Sequence, residues 1–205
     1  MGFYEARVVP RLVDLCCGAS GLRKVRARVC APLSGEVLEV GFGSGRNVAH
    51  YPAAVTRVLA VEPSARAREM AAPRVAASRV PVDYVGLDGQ DLPLDDASVD
   101  NVLCTWSLCT IPDPARALRE MRRVLRPGGA LQFVEHGLSS DPRVARWQHR
   151  LTPLQRRLAG GCHLDRPIVA LIDSAGFSVA ACRAYLAAWP KSYGQFYEGR
   201  AEPRQ

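Results

Sequence analysis

The chain has 205 residues, 48% of them hydrophobic, which suits one packed domain. Its formal charge of +7 comes almost wholly from arginines spread along the chain, with Lys24 and Lys191 as the lysines. The densest basic run, Arg23 to Arg28, is short and holds no aromatic residue to stack a base, so it reads as a solvated helix face and nucleic acid is not an expected partner. Seven cysteines, an odd number with no Cys-x-x-Cys pair, argue for reduced thiols and against a disulfide framework, a thioredoxin-like centre or a zinc site, so no metal is expected. The first residues lack an apolar leader run, and no stretch reaches the roughly 18 apolar residues of a membrane span, so the expected location is the cytoplasm.

Tyr4, Val8, Leu12 and Leu15 fall at helical spacing over residues 3–17, with Pro10 marking a kink or break. A second, basic helix is expected up to Cys30, and Pro32, Ser34 and Gly35 end this opening part. Val37-Leu38-Glu39-Val40 reads as a buried strand, followed by a glycine loop and a short helix that stops before Pro52. Strands are expected at 57–61, 80–85, 99–105 and 130–134. Ser64 is placed to cap the helix after the second strand. Ala115, Leu118, Met121 and Leu125 form the inner stripe of a helix that Pro127-Gly128-Gly129 would stop. A basic helical region covers 142–160, Asp165 and Pro167 suggest a helix start with Gly176 as its stop, and 177–186 with 193–200 read as a paired hairpin. Strands alternating with helices predict a parallel sheet with right-handed crossovers, and a ligand at its carboxyl edge.

Gly41-Phe42-Gly43-Ser44-Gly45 follows the first strand directly, with Glu39 at the strand end and Glu62 ending the next strand. Alternate glycines let the backbone bend and lie close to a ligand. A carboxylate at the second strand tip suits the two hydroxyls of an adenosine ribose. The third glycine comes one residue too early for the dinucleotide pattern, and Glu39 would repel a pyrophosphate but suit the ammonium of a methionine moiety. S-adenosylmethionine (SAM) is therefore the expected cofactor.

In order, Glu39 to Gly45, Glu62-Pro63, Leu87 to Leu94, Ser98-Val99-Asp100 and Arg122 to Gly129 resemble the motifs of class I SAM-dependent methyltransferases of the ubiquinone-biosynthesis-like branch. That resemblance implies an α/β Rossmann-like fold: a seven-stranded, mostly parallel sheet with an antiparallel C-terminal strand and helices on both faces. It implies that Gly41, Gly43 and Gly45 hold the methionine part, Glu39 its amino group and Glu62 the ribose. Asp88, Gly89 and Gln90 would then meet adenine, with Cys104 and Thr105 completing the pocket; ordinary turn residues are the alternative reading of Asp88 and Gln90, and the functional one is preferred because they follow a third strand in the expected place. Cys104 to Cys109, Glu135-His136, Trp147-Gln148 and Gly161 to Arg166 look like the thiol S-methyltransferases of the methyltransferase-like group.

The implied enzyme transfers a methyl group to a small lipophilic acceptor, such as a thiol. A quinone-like carbon, a lipid amine and a non-catalytic SAM-binding module stay open as alternatives. A thiol acceptor reacts as the thiolate, which points to His136, at the tip of the fifth strand, and then to His163. Each of these histidines also reads as a group that bonds a loop backbone. Tyr4, Phe42, Trp106 and Trp147 are candidates to line the acceptor pocket, against plain core packing. One domain is expected over 1–205: a helical lid at 1–33, a SAM-binding core at 34–136, and acceptor-side helices with the hairpin at 137–205.

Overall fold

The structure, a computed structural model, describes residues 4–186 and 191–204. A π-helical turn at Tyr4–Val8 leads into α1 (Val9–Cys17), with Pro10 in the first turn where its missing N–H costs nothing, and α2 (Ser20–Cys30) follows. Alternation then begins with β1 (Gly35–Val40), β2 (Val55–Val61), α3 (Ala65–Ala76), β3 (Val82–Gly86), β4 (Val99–Thr105), α4 (Pro114–Val124) and β5 (Leu125–His136). The last part comprises α5 (Pro142–Leu158), α6 (Ile168–Ser174), β6 (Phe177–Leu186), the short α7 (Lys191–Gly194) and β7 (Gln195–Pro203).

One seven-stranded sheet has the order β3-β2-β1-β4-β5-β7-β6. The first five strands pair in parallel, and β7 runs antiparallel to both β5 and β6. Strand order reverses between β1 and β4, so the connections leaving their carboxyl ends run to opposite faces of the sheet and open the crevice in which such sheets hold ligands. β1 is central and covered on both faces: Leu38 and Val40 join the core under α4 and α6, while Val37 joins the core under α2 and α3. That double burial explains its unbroken apolar run.

Caps at two helices follow the residues. The Ser64 hydroxyl accepts from the Ala67 N–H at 3.2 Å, and the Asp113 carboxylate accepts from the Arg116 N–H at 2.9 Å. Elsewhere tertiary packing overrides the pattern. The glycine loop runs into a single 3-10 turn, Val48–His50, rather than a helix, because Pro52 holds Tyr51 extended and leaves too few residues to propagate. Pro127-Gly128-Gly129 does not stop α4; β5 already begins at Leu125, and these residues form a bulge where the register jumps from Val99↔Leu125 to Asn101↔Ala130. Ala117 and Val124, rather than Ala115, complete the buried stripe of α4.

Asp165 caps no helix: α6 follows Pro167 without a side-chain cap, and the Asp165 carboxylate instead meets His149 Nδ1 at 2.8 Å. In α1 only Val9 is buried, and Tyr4, Leu12 and Leu15 are exposed, so the spaced apolar stripe is not the face that docks. Among the described residues no helix is long and apolar enough to cross a membrane.

Candidate functional site

Three glycines at the carboxyl end of β1 adopt positive φ: Gly41 at 77°, Gly43 at 57° and Gly45 at 74°. At Gly41 the requirement is twofold, since a Cβ would also overlap the Ser107 hydroxyl. Glu62, just past the end of β2, is buried and tied to this loop: one carboxylate oxygen accepts from Gly43 N–H at 2.7 Å, the other from Ser64 N–H at 2.8 Å. Burial raises its pKa against the pull of those two N–H groups. Each oxygen still has a lone pair free for a further donor.

Glu39 lies on β1 with its carboxylate inside the protein. It accepts from Asn47 Nδ2 at 3.0 Å and from the Tyr51 hydroxyl at 2.5 Å. Burial lifts its pKa to about 7, against those hydrogen bonds and the nearby Arg26 charge. Asn47 also donates to Thr105 Oγ1 at 3.0 Å, and its own oxygen accepts from Arg26 at 2.7 Å. Arg26, buried on α2, places its guanidinium 4.7 Å from the Trp106 ring centroid, and its Nε has no hydrogen-bond partner. Asn47, Tyr51 and Arg26 are functional candidates that pattern reading missed; the polar Arg46-Asn47 pair after the loop was the available signal.

At the end of β3, Asp88 is exposed and accepts from Gln90 N–H at 2.8 Å and from its side-chain amide at 2.9 Å. The Gln90 oxygen in turn accepts from Asp113 N–H at 2.7 Å. Gly89 is pressed against Val40, where a Cβ would come within 2.7 Å of a methyl carbon. Because Glu62 N–H donates to Gly86 O at 3.2 Å, Glu62 and this turn follow paired strand ends.

Beyond β4, Trp106 takes φ of 52°, an outlier for a bulky side chain. The turn is held from below by Glu135, fully buried on β5, whose Oε1 accepts from Ser107 N–H at 2.8 Å and Leu108 N–H at 3.0 Å. Burial raises Glu135 to about 6. Cys104 packs into the α4-side core with its thiol 3.5 Å from Glu135, whereas Thr105 faces Asn47.

His136 Nε2 lies 3.0 Å from Cys162 Sγ, and Cys109 joins them, the three ligand atoms falling within 4.8 Å of one another. Hydrogen bonding from Cys109, and then from His136, draws Cys162 down. Burial would lower His136, but the Cys162 contact and the Glu135 charge outweigh it and raise it.

A methyltransferase domain family model matches residues 38–133. Residues 38–133 are a class I SAM-dependent methyltransferase domain. Rat thiol S-methyltransferase TMT1B is 34% identical over 148 residues, covering 69% of this chain and 59% of the relative. Human thiol S-methyltransferase TMT1A is 36% identical over 146 residues, with the same coverage of 69% and 59%. A demethylmenaquinone methyltransferase of Clavibacter sepedonicus is 34% identical over 125 residues, 60% of this chain and 51% of that one. The chain thus spans about three-fifths of the length of its thiol-methylating relatives. A SAM-dependent methyltransferase of Thermotoga maritima, described as a possible histamine N-methyltransferase, matches in fold with a TM-score of 0.68 at 23% identity over 98% of each chain.

Around the methyltransferase domain, α1 sits against the glycine loop. Asp14 accepts from Arg46 Nε at 2.7 Å and Nη2 at 2.8 Å, and from the Ser44 hydroxyl. The other expected site residues are not gathered together. Tyr4 is exposed and donates to Leu158 O at 2.8 Å. Phe42 turns into the α3-side core and meets Tyr84 edge-on at 5.6 Å. Trp147 is 57% exposed on α5 with Arg150 alongside its ring at 5.6 Å, so it walls no buried cavity. His163 stays outside the His136 cluster, its Nδ1 3.9 Å from Asp165, while its backbone N–H donates to Cys109 O at 2.8 Å.

Proposed function

We propose that this chain methylates a small lipophilic thiol, using SAM held at the carboxyl ends of β1 to β4. The observation that carries the reading is the double anchoring of Glu62 to Gly43 and Ser64, which aims a buried carboxylate at the mouth of the glycine loop. Gly41, Gly43 and Gly45 would pass the methionine part, Glu62 would bond the ribose hydroxyls, and Asp88, Gly89 and Gln90 would meet adenine. Glu39, steadied by Asn47 and Tyr51, would face the amino group, with Thr105 beside it. The unpartnered Nε of Arg26 is a fitting site for the methionine carboxylate.

When bound, SAM supplies an electrophilic methyl on a sulfonium. The remaining work of the protein is to align an acceptor, exclude water and favour the thiolate. Trp106 and Arg26, stacked at 4.7 Å, would close one side of the reaction space, and α1, tied to Ser44 and Arg46 through Asp14, would cover the loop. In the absence of a metal, His136 would be the residue to accept or stabilise the acceptor proton. A thiol is favoured as acceptor by the two thiol S-methyltransferase relatives. A quinone-like carbon is the second reading, supported by the demethylmenaquinone relative. The cytoplasm is the proposed location.

The test is incubation with methyl-labelled SAM and a panel of alkyl thiols, aryl thiols, quinols and amines, with products identified by mass spectrometry. Label in S-methyl products supports the thiol reading. Label on a ring carbon or an amine replaces it, and no product from any acceptor overturns it.

A further inference from the structure

We propose that Cys109, His136 and Cys162 bind one zinc ion and leave a coordination position open for the acceptor thiolate; the acceptor part rests on the function proposed above. The three side chains come from different elements: the turn after β4, the last residue of β5, and the loop that follows α5. Their ligand atoms nevertheless all lie within 4.8 Å of one another. Tetrahedral zinc, with bonds of about 2.3 Å to sulfur and 2.0 Å to nitrogen, needs sulfur–sulfur separations of about 3.8 Å and sulfur–nitrogen separations of about 3.5 Å. The His136–Cys162 pair, at 3.0 Å, has to open by only about 0.5 Å to reach that geometry. Two thiolates and an imidazole are a soft donor set that selects zinc over magnesium or calcium.

The backbone around the ligands is braced. Glu135 accepts from Ser107 and Leu108 just before Cys109, and Arg166 Nη1 donates to Ile111 O at 2.7 Å and to Leu108 O. His163 N–H closes the arrangement by donating to Cys109 O at 2.8 Å. Such bracing means that ligation would require little reordering.

Among the described residues the group holds three ligands, not four, and three protein ligands are the pattern of a zinc site that keeps a position for substrate. Cys109 and Cys162 are buried and His136 is partly buried, its Nδ1 without a hydrogen-bond partner. The cluster also adjoins the cofactor loop, since Ser107, two residues before Cys109, is the residue a Cβ on Gly41 would strike. An acceptor thiol coordinated there would release its proton to solvent. Its sulfur would then form the new carbon–sulfur bond as the methyl–sulfonium bond breaks, leaving a thioether and S-adenosylhomocysteine. His136 would be a ligand in this arrangement, not a proton acceptor.

The experiment is elemental analysis of the purified full chain, followed by zinc removal and titration with Zn²⁺ and Co²⁺. About one metal per chain is expected, with the intense visible bands of a tetrahedral cobalt–thiolate site. Cys109→Ser and Cys162→Ser should each weaken binding by about 100-fold or more, while Cys16→Ser, at an exposed thiol, should bind normally. If either cluster variant misfolds, a rise in the melting temperature of the wild-type chain on adding Zn²⁺ provides the independent readout. A small alkyl thiol should shift the cobalt bands. Failure to take up metal, or full uptake by Cys109→Ser, overturns the site. Metal uptake with cobalt bands indifferent to thiols overturns the open position. Metal binding without methyl transfer to thiols would count against the proposed function and leave the zinc site standing.

Discussion

Replacing Glu62 by glutamine changes one atom and sets two backbone donors against each other. Both Glu62 oxygens now accept, from Gly43 at 2.7 Å and from Ser64 at 2.8 Å. A glutamine offers one acceptor, and its amide group must face one of those N–H groups with donors of its own. Leaving a buried N–H without an acceptor costs about 1–3 kcal/mol of stability. The same change removes one charged acceptor for the ribose, a bond worth about 1.5–3 kcal/mol, which corresponds to roughly 10- to 100-fold in affinity. The assay is calorimetric titration with S-adenosylhomocysteine beside urea unfolding of both proteins. A Glu62→Gln protein that remains folded and binds within about threefold of wild type would refute the assignment of this carboxylate to the ribose.

Gly41→Ala should lower stability by about 2 kcal/mol or more in urea unfolding, because φ of 77° is strained for alanine and its methyl would displace the Ser107 hydroxyl; an unchanged midpoint would refute that packing. Glu39 has a folded pKa raised to about 7 from 4.5, so burial favours its protonated form, and stability should fall as pH rises through the window from 4.5 to 7. Glu39→Gln removes that dependence, and the stability gap between the two proteins should shift by roughly 3 kcal/mol in favour of the variant between pH 4.5 and pH 8; a constant gap would show that the carboxylate is not buried as described. Asp14→Asn weakens the tie of α1 to Arg46 and Ser44, which is partly solvent-screened, so about 1 kcal/mol is expected as a roughly fivefold loss of hydrogen-exchange protection confined to α1.

Patterns a few residues long determined most of the fold and the glycine-loop edge of the sheet. The apolar run of β1, the glycines after it and Glu62 at the end of the next strand state their geometry locally, since burial, positive φ and strand length are properties of short segments. The order of strands and helices followed from the same periodicities, and the seven-stranded, mostly parallel sheet with its antiparallel end agrees with what the motifs implied. Only the tertiary structure decided which strand ends adjoin and therefore which side chains meet. His136 and Cys162 are 26 positions apart and touch because β5 ends beside the loop after α5. No spacing rule reveals that, and the missing Cys-x-x-Cys pair pointed away from it. Arg26 reads as part of a solvated basic run, yet its neighbours in space are Trp106 and Asn47, which bury it. Pro127-Gly128-Gly129 has the composition of a helix stop, but its place beside β4 makes it a bulge inside β5. Trp147 shows the converse: an aromatic on a helix suggests a pocket wall, and the packing of α5 turns it to solvent. Local sequence sets the backbone, while long-range packing chooses the partners of each polar group, and the chemistry of this site lies in those partners.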